Sequence, residues 1–129
     1  MVKERKQGKL VLNQPAGHVE NHETLTQAIE REVLEETGWY VKASKLLGLY
    51  SFTPTLNHNT YHRACFICLP IEQTHQLIDQ DIEEAVWLTQ EQILTSPLRS
   101  PLVKECLEDY LAGTIYPLSL ICDKHILAQ

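Results

Sequence analysis

Hydrophobic positions in the first half of the chain follow two different periods. Residues 9–13 (KLVLN) form a short, largely apolar run that ends at a Pro-Ala-Gly turn, which predicts a β-strand. Residues 24–37 instead place apolar side chains three and four positions apart, which predicts an amphipathic α-helix. Thr24 and Gln27 have the spacing of a capping box at the start of this helix, and Gly38 suits a left-handed residue at its end.

The second half of the chain contains shorter elements. Residues 46–55 and 60–70 predict two strands that flank a polar loop, and residues 83–88 predict a third, shorter strand. A capping box at Thr89 begins a short helix, and a Ser-Pro start with a glycine stop predicts a helix over residues 101–112. Strands and helices are mixed without regular βαβ alternation, so the pattern predicts an α+β fold.

The composition narrows the class of protein. A chain of 129 residues with 43% hydrophobic and 22% charged residues suits one globular domain over residues 1–129. The net charge of −6 argues against a basic nucleic-acid interface, although a bound metal would still allow a small anion to bind. The sequence shows neither a signal peptide nor an apolar run long enough for a membrane span. We therefore expect a cytoplasmic protein.

Two sets of residues that could carry chemistry are interpreted as structural. Cys65 and Cys68 form a CxxC, but the strand pattern around them would turn the two side chains to opposite faces. A zinc or redox site would also need partners that are not evident, so we interpret them, with Cys106 and Cys122, as half-buried thiols in a reducing compartment. Trp87 is most simply a core residue.

The apolar stripe of the first helix ends in carboxylates. Glu32 and Glu36 continue the stripe, Glu35 lies beside them and Arg31 lies on their flank, whereas Glu30 faces the opposite side and is expected to be solvated. Like charges four residues apart destabilise a helix by about 0.2–0.5 kcal/mol, and the helix C-terminus disfavours anions. The pattern allows two interpretations: a solvated acidic face, or an oxygen-rich site for a divalent cation such as Mg²⁺.

The loop before the helix favours the cation site. Residues 17–39, GHVENHETLTQAIEREVLEETGW, match the fixed positions of the Nudix signature. That signature is a glycine, five residues, a glutamate, seven residues, then Arg-Glu-aliphatic-x-Glu-Glu-x-Gly and an apolar residue. The last position is usually aliphatic and is here Trp39, a mild departure. The chain therefore resembles the Nudix hydrolases.

This resemblance implies both a fold and a cofactor. The fold would be an α/β/α sandwich around a mixed sheet, from which this chain would lack the first strand. The cofactor would be Mg²⁺ or Mn²⁺, which neutralises a diphosphate and activates water. The residues that the resemblance assigns to the metal are Glu32, Glu35, Glu36 and a carbonyl of Ala16 or Gly17.

The resemblance also assigns supporting roles around the metal. Glu32 is the candidate general base, although other carboxylates remain candidates for this role. Arg31 would hold the glutamates in place, Glu23 would help fix the loop or serve as an outer ligand, and Gly38 would complete the motif. Asn13, at the end of the first predicted strand, either faces the substrate or caps the strand.

Residues outside the motif are weaker candidates. Family members often supply a further carboxylate before a later strand, and the segment QDIEEAVWL offers Glu83 or Glu84, with a solvated loop as the alternative. Arg63 is the nearest cation for a phosphate, Tyr61 could stack on a base, and His18 could reach a phosphate. Their structural alternatives are a surface ion pair, ordinary sheet packing and an exposed loop, respectively.

Two further segments, NQPAGHVE and LRSPLVKECLEDYLAGTIYPLSLI, resemble a group of bacterial phosphatases within the family. This implies release of orthophosphate from nucleoside tri- and diphosphates, and from hydroxymethylpyrimidine pyrophosphate or thiamine pyrophosphate. We expect a monomer that acts on small molecules rather than on nucleic acid or membranes. Two alternatives remain: a catalytically silent Nudix-fold module that binds a nucleotide, and a Nudix pyrophosphohydrolase of another nucleoside diphosphate derivative.

Overall fold

The computed structural model describes residues 1–126. Their helices and strands are β1 (Val2–Lys6), β2 (Lys9–Asn13), α1 (Leu25–Thr37), β3 (Trp39–Phe52), β4 (Tyr61–Gln73), β5 (Ile82–Ala85), α2 (Gln90–Leu94), α3 (Pro101–Leu111) and a 3₁₀ helix (Leu118–Leu120). This mixture of helices and antiparallel sheets confirms the predicted α+β class. None of the helices in the described part of the chain is long and apolar enough to cross a membrane.

The strands form two separate ladders. β1 lies between β2 and β5 in a three-stranded antiparallel sheet, and β3 pairs with β4 in a long antiparallel hairpin. A parallel bridge between Leu12 and Leu98 joins β2 to the segment before α3. Among residues 1–126, β4 pairs with no strand other than β3.

The predicted strand bounds needed correction. β3 begins at Trp39 rather than at residue 46, and β5 covers Ile82–Ala85 rather than residues 83–88. In β3 the register shifts three times, between Tyr40 and Val41, between Ala43 and Lys45, and between Leu46 and Gly48. Each shift changes which side chains face inward, so the first half of β3 lacks a continuous two-residue period in the sequence.

The predicted ends of α1 are confirmed. The Gln27 backbone N–H donates to Thr24 Oγ1 at 3.1 Å, and the Thr24 N–H donates to Gln27 Oε1 at 2.9 Å. Gly38 has a φ of 76° and donates its N–H to the Leu34 carbonyl. Because these contacts satisfy backbone groups at both ends, the helix presents its last two turns at a fixed position.

α1 and α3 both pack against β3. Glu30 of α1 accepts the backbone N–H of Ala43 at 3.0 Å, and the Tyr50 hydroxyl of β3 donates to Asp109 of α3 at 2.7 Å. Leu46 of β3 is fully buried among the side chains of the core. The core of the protein therefore forms where α1 and α3 pack against β3 of the hairpin.

The two cysteines of the CxxC have different neighbours on the helices. Burial and then the charge of Glu30 on α1 raise the pKa of Cys68 to about 11. Cys65 instead accepts a 3.7 Å hydrogen bond from Gln14 and neighbours Cys106 of α3. All four cysteines are free; Cys106, however, is buried and Cys122 is exposed, so those two are not half-buried as predicted.

Two side chains lie in environments opposite to those predicted. Trp87 is 71% exposed rather than part of the core. β5 ends at Ala85, so Trp87 lies beyond the strand and packs edge-to-face on Trp39 with ring centroids 5.5 Å apart. Glu30, predicted to be solvated, has a side chain only 18% exposed because it binds the backbone of β3 and lies 3.8 Å from Lys42.

Candidate active site

Arg31 is the centre of the carboxylate cluster on α1. Its Nε and Nη2 donate to the two oxygens of Glu23 at 2.7 and 3.0 Å. Its Nη1 donates to Glu32 at 2.7 Å and to Glu35 at 3.3 Å, and Nη2 also reaches the His18 carbonyl at 2.9 Å. One planar guanidinium thus joins the loop before α1 to two of the predicted metal ligands.

Hydrogen bonding and charge both act on this cluster. The hydrogen bond from Arg31 lowers the pKa of Glu23 below its ordinary value. In the other direction, the hydrogen bond to Glu23, followed by those to Glu32, raises the pKa of Arg31. Arg31 is therefore permanently charged, and its position agrees with the predicted role of holding the glutamates in place.

Glu36 lies deeper than the other carboxylates. It is 8% exposed, and its Oε1 accepts the backbone N–H of Ala16 at 3.4 Å. Burial, followed by contact with Glu32, raises the pKa of Glu36 to about 8. A buried carboxyl beside a second carboxyl resists ionisation unless a cation neutralises the pair.

Gly17 provides space for the Glu32 carboxylate. A Cβ built at Gly17 would overlap the carboxylate carbon and both oxygens of Glu32. Gly17 has no positive φ that would otherwise require glycine, so close approach of this side chain explains the residue type. The loop and the helix meet at this point, as the spacing of the motif predicts.

The donor set suits a hard divalent cation, because carboxylate and carbonyl oxygens are the groups that Mg²⁺ prefers. The backbone of residues 16–17 lies against two of the three predicted carboxylate ligands: the Ala16 N–H donates to Glu36, and Gly17 lies next to Glu32. Within residues 1–126, no three acidic, histidine or cysteine side chains are arranged as a ready-made metal cage. Glu32 and Glu35 both point to Arg31 in this conformation.

A cavity of about 910 Å³ opens beside these carboxylates. It brings Glu32 and Gly17 together with the predicted substrate residues His18, Tyr61 and Arg63. The loop, α1 and β4 therefore contribute to one concave site. Such a site with a few polar groups is the usual form of a small-molecule pocket.

Arg63 is the most distinctive of the predicted substrate residues. Its side chain makes no ion pair or hydrogen bond with any residue in the described range 1–126, although it is half-buried. Its cross-strand partner Tyr50 binds Asp109, and Tyr61 lies two residues away on the same face of β4. Tyr61 accepts a 3.3 Å hydrogen bond from Asn57, and His18 is exposed.

The structure does not bring Glu83 or Glu84 to the cavity. Glu83 pairs with Arg5 at 2.8 Å, and Glu84 pairs with Lys3 at 3.2 Å, both across the β1–β5 ladder. Their side chains are 48% and 59% exposed, respectively. Asp81, which precedes β5, does line the cavity.

Sequence reasoning missed two residues that line the cavity, Glu4 and Arg99. Glu4 of β1 accepts hydrogen bonds from Asn13 and from Arg99, and all three line the cavity. Glu4 and Arg99 are in contact but lie 95 positions apart in the sequence, so no local sequence pattern relates them. Asn13, a candidate from its place at the end of the first predicted strand, is buried in the structure.

Comparisons with known proteins agree with this geometry. The sequence model of the NUDIX domain matches residues 1–109. Phosphatase NudJ of Escherichia coli strain K12 and that of Shigella flexneri are each 38% identical over 126 residues, which cover 95% of this chain and 81% of the relative. A NUDIX hydrolase from Nitrosomonas europaea has a similar structure, with a TM-score of 0.90 and 39% identity over 95% of this chain and 85% of that one.

The family match covers the loop, the carboxylate helix and the sheet that carries them. The structural neighbour reproduces this arrangement across nearly the whole chain. The residue motif, the fold and the relatives lead to one conclusion: the chain belongs to the Nudix family and is a hydrolase of phosphoanhydride bonds.

Proposed function

We propose that the chain is a phosphohydrolase, dependent on Mg²⁺ or Mn²⁺, that releases orthophosphate from nucleoside tri- and diphosphates. The proposal includes hydroxymethylpyrimidine pyrophosphate or thiamine pyrophosphate as substrates. It rests chiefly on one observation: Glu32, which accepts a hydrogen bond from Arg31, lines a cavity that also contains Arg63, a cation without an ionic partner among residues 1–126. The 38% identity to phosphatase NudJ supports orthophosphate as the product.

The proposed metal ligands are the carboxylates of Glu32, Glu35 and Glu36 with a carbonyl of Ala16 or Gly17. Support comes from the close approach of Glu32 to Gly17 and from the hydrogen bond that joins Glu36 to the same loop. When bound, the metal supplies neutralisation of the phosphate oxygens and activation of water. Arg31 holds Glu32 and Glu35 together through hydrogen bonds to both carboxylates.

Glu32 is the proposed general base. Its carboxylate lines the cavity, where it can accept a proton from the attacking water, and Oε1 also accepts a hydrogen bond from Arg31. The water oxygen forms a bond to the terminal phosphorus, and the bond from that phosphorus to the bridging oxygen breaks. The leaving group keeps the electron pair and gains a proton from solvent, so that orthophosphate and the shortened substrate result.

Arg63 is the proposed anion-binding residue on the opposite wall. A half-buried guanidinium without a carboxylate partner in the described region has its donors free for a phosphate. Tyr61, on the same face of β4, would support the base or pyrimidine ring by stacking. His18 would lie at the mouth of the site, where its exposed side chain can reach a phosphate.

Product analysis tests this proposal. Purified protein with Mg²⁺ would be incubated with GTP, GDP, ATP, thiamine pyrophosphate, hydroxymethylpyrimidine pyrophosphate and ADP-ribose, and both orthophosphate and pyrophosphate would be quantified. We expect orthophosphate from the first five compounds and little cleavage of ADP-ribose. Release of pyrophosphate in place of orthophosphate from GTP and ATP, or preferential cleavage of ADP-ribose, would assign the chain to the pyrophosphohydrolase alternative.

The sequence also predicts a cytoplasmic monomer. Light scattering coupled to size-exclusion chromatography would measure the oligomeric state, and cell fractionation would measure the location. A dimer, or a membrane-bound fraction, would contradict these two predictions.

A further inference from the structure

Asn13, the last residue of β2, uses both ends of its side-chain amide. It is 8% exposed; Nδ2 donates to Glu4 Oε1 at 3.0 Å, and Oδ1 accepts the Gln14 backbone N–H at 2.9 Å. A carboxylate oxygen only accepts and a backbone N–H only donates, so these two partners fix the orientation of the amide. Each polar end of the Asn13 side chain therefore already has one protein partner.

Glu4 is itself held from its other side. Its side chain is 14% exposed, and Oε1 also accepts a hydrogen bond from Arg99 Nη1. The Arg99 backbone is tied to the same sheet, because its N–H donates to the Leu12 carbonyl at 2.8 Å and its carbonyl accepts Lys6 Nζ at 3.2 Å. The nearly buried carboxylate thus has a charged partner whose own position is set by β2 and β1.

The other end of this chain of contacts reaches the carboxylates of α1. Gln14, fixed by Asn13, begins the loop that continues to Ala16 and Gly17. The Ala16 N–H donates to Glu36 at 3.4 Å, and Gly17 lies against the Glu32 carboxylate. A small rotation at Gln14 therefore displaces the backbone groups next to both glutamates.

We propose that Arg99, Glu4 and Asn13 form a positioning network that sets the loop of residues 14–17 against Glu32 and Glu36. These three are positioning residues, since each acts through the loop rather than on the substrate. The inference rests on the proposed function, in which the same loop supplies a carbonyl to the metal. As a consequence, Glu4 on β1 and Arg99 before α3 would influence the affinity for the metal although neither is a proposed metal ligand.

Exchanging the Asn13 amide and the Glu4 carboxylate distinguishes an effect of loop position on metal binding from an effect of net charge. Asn13→Asp keeps the acceptor for the Gln14 N–H but loses the donor to Glu4. Glu4→Gln removes the negative charge opposite Arg99 but keeps an amide oxygen that can still accept from Asn13 and Arg99. In the double variant Glu4→Gln/Asn13→Asp, the new amide donates to the new carboxylate, so the hydrogen bond returns with reversed polarity and the net charge is unchanged.

The test is titration of each purified variant with Mn²⁺ alone, with free Mn²⁺ measured by electron paramagnetic resonance. We expect Asn13→Asp to bind Mn²⁺ about 10- to 100-fold more weakly than wild type, Glu4→Gln to lose less affinity, and the double variant to recover most of the Asn13→Asp loss. Asn59→Asp, an exposed asparagine in the β3–β4 loop, carries the same added charge and should bind Mn²⁺ as wild type does.

Whether each substitution strengthens or weakens Mn²⁺ binding distinguishes the positioning network from an effect of charge alone. If charge alone mattered, Asn13→Asp would tighten Mn²⁺ binding and Glu4→Gln would weaken it, and that result would overturn the network. A folded Asn13→Asp variant with wild-type affinity would overturn it equally. If Asn13→Asp does not fold, a folded double variant with wild-type affinity supports the network, and a folded double variant with weak affinity contradicts it.

Kinetics supply a second readout. With saturating substrate, the single variants should need more Mg²⁺ for half-maximal turnover, whereas kcat at saturating Mg²⁺ should fall much less. Wild-type protein that binds no Mn²⁺ would contradict the proposed function itself. Wild-type binding with unchanged single variants would contradict only the positioning network.

Discussion

Glu23 and Arg31, eight positions apart, form a two-point ion pair, with oxygen–nitrogen distances of 2.7 and 3.0 Å. This pair closes the loop before α1 onto the helix itself. The remaining guanidinium nitrogen is then directed to Glu32 and Glu35. A single arginine thereby fixes the geometry of both the loop and the carboxylates, and its planar shape is what makes this sharing feasible.

Replacement of Arg31 by lysine should therefore lower activity despite the retained charge. A single ammonium group cannot bind both oxygens of Glu23 while also reaching Glu32 and Glu35 in the same geometry. We expect kcat to fall about 10- to 100-fold. Arg5→Lys, at the exposed ion pair with Glu83, is the matched control and should stay near wild type. Equal turnover of the two variants would show that the arginine fork is not required.

Gly17→Ala should separate activity from stability. The added methyl group would overlap the Glu32 carboxylate, which is the far end of a flexible side chain and can rotate away. The free energy of unfolding should therefore change by less than about 1 kcal/mol, because surface and loop substitutions of this kind rarely change it by more. Turnover should fall, since Glu32 leaves its position. Chemical denaturation and steady-state kinetics measure the two effects, and a variant with unchanged turnover would contradict the assignment of Glu32.

The metal-free protein should lose stability as the pH rises. Burial and Glu32 raise the pKa of Glu36 to about 8, whereas a glutamate in an unfolded chain titrates near about 4.3. Between these values the folded state holds a proton that the unfolded state has released, so the free energy of unfolding falls with increasing pH. Urea denaturation in EDTA from about pH 5 to about pH 8 measures this. The fall should be smaller in Glu36→Gln, and identical slopes would exclude Glu36 as its source.

Arg63→Ala should affect substrate binding. Loss of a charge-assisted hydrogen bond of about 1.5–3 kcal/mol corresponds to a roughly 10- to 100-fold higher KM. Arg63→Lys should recover part of this loss, because it keeps the charge but not the fork geometry. Arg5→Ala serves as the control for removal of an exposed arginine. A wild-type KM for Arg63→Ala would place the phosphate elsewhere in the cavity.

Local signals predicted the elements that carry the proposed chemistry. The capping box at Thr24 and the glycine stop at Gly38 are short-range interactions, and both formed as the spacing indicates. The carboxylate helix was therefore placed almost to the residue. The Nudix motif then related Gly17 to Glu32, which the structure brings into direct contact.

The side-chain environments that the sequence did not predict depend on packing between elements distant in the chain. Glu4 and Arg99 form an ion pair although they lie near opposite ends of the sequence, and no periodic sequence pattern predicts such a pair. Trp87 is as hydrophobic as a core residue, yet it lies past the end of its strand and is exposed. Glu30 has the sequence context of a surface charge, but the approach of β3 gives it a backbone partner. Each of these environments depends on the position of an element that is distant in the sequence.

The most direct test of the central claim is Mg²⁺-dependent orthophosphate release by Glu36→Gln beside Glu105→Gln. Glu105 is an exposed glutamate on α3 and so provides the same chemical change away from the site. If the carboxylates of α1 bind the catalytic metal, Glu36→Gln should lower turnover by about 100-fold or more, and EDTA should abolish wild-type turnover. Glu105→Gln should match wild type. Glu36→Gln with wild-type turnover, in folded protein, would contradict the assignment of this cluster as the metal site.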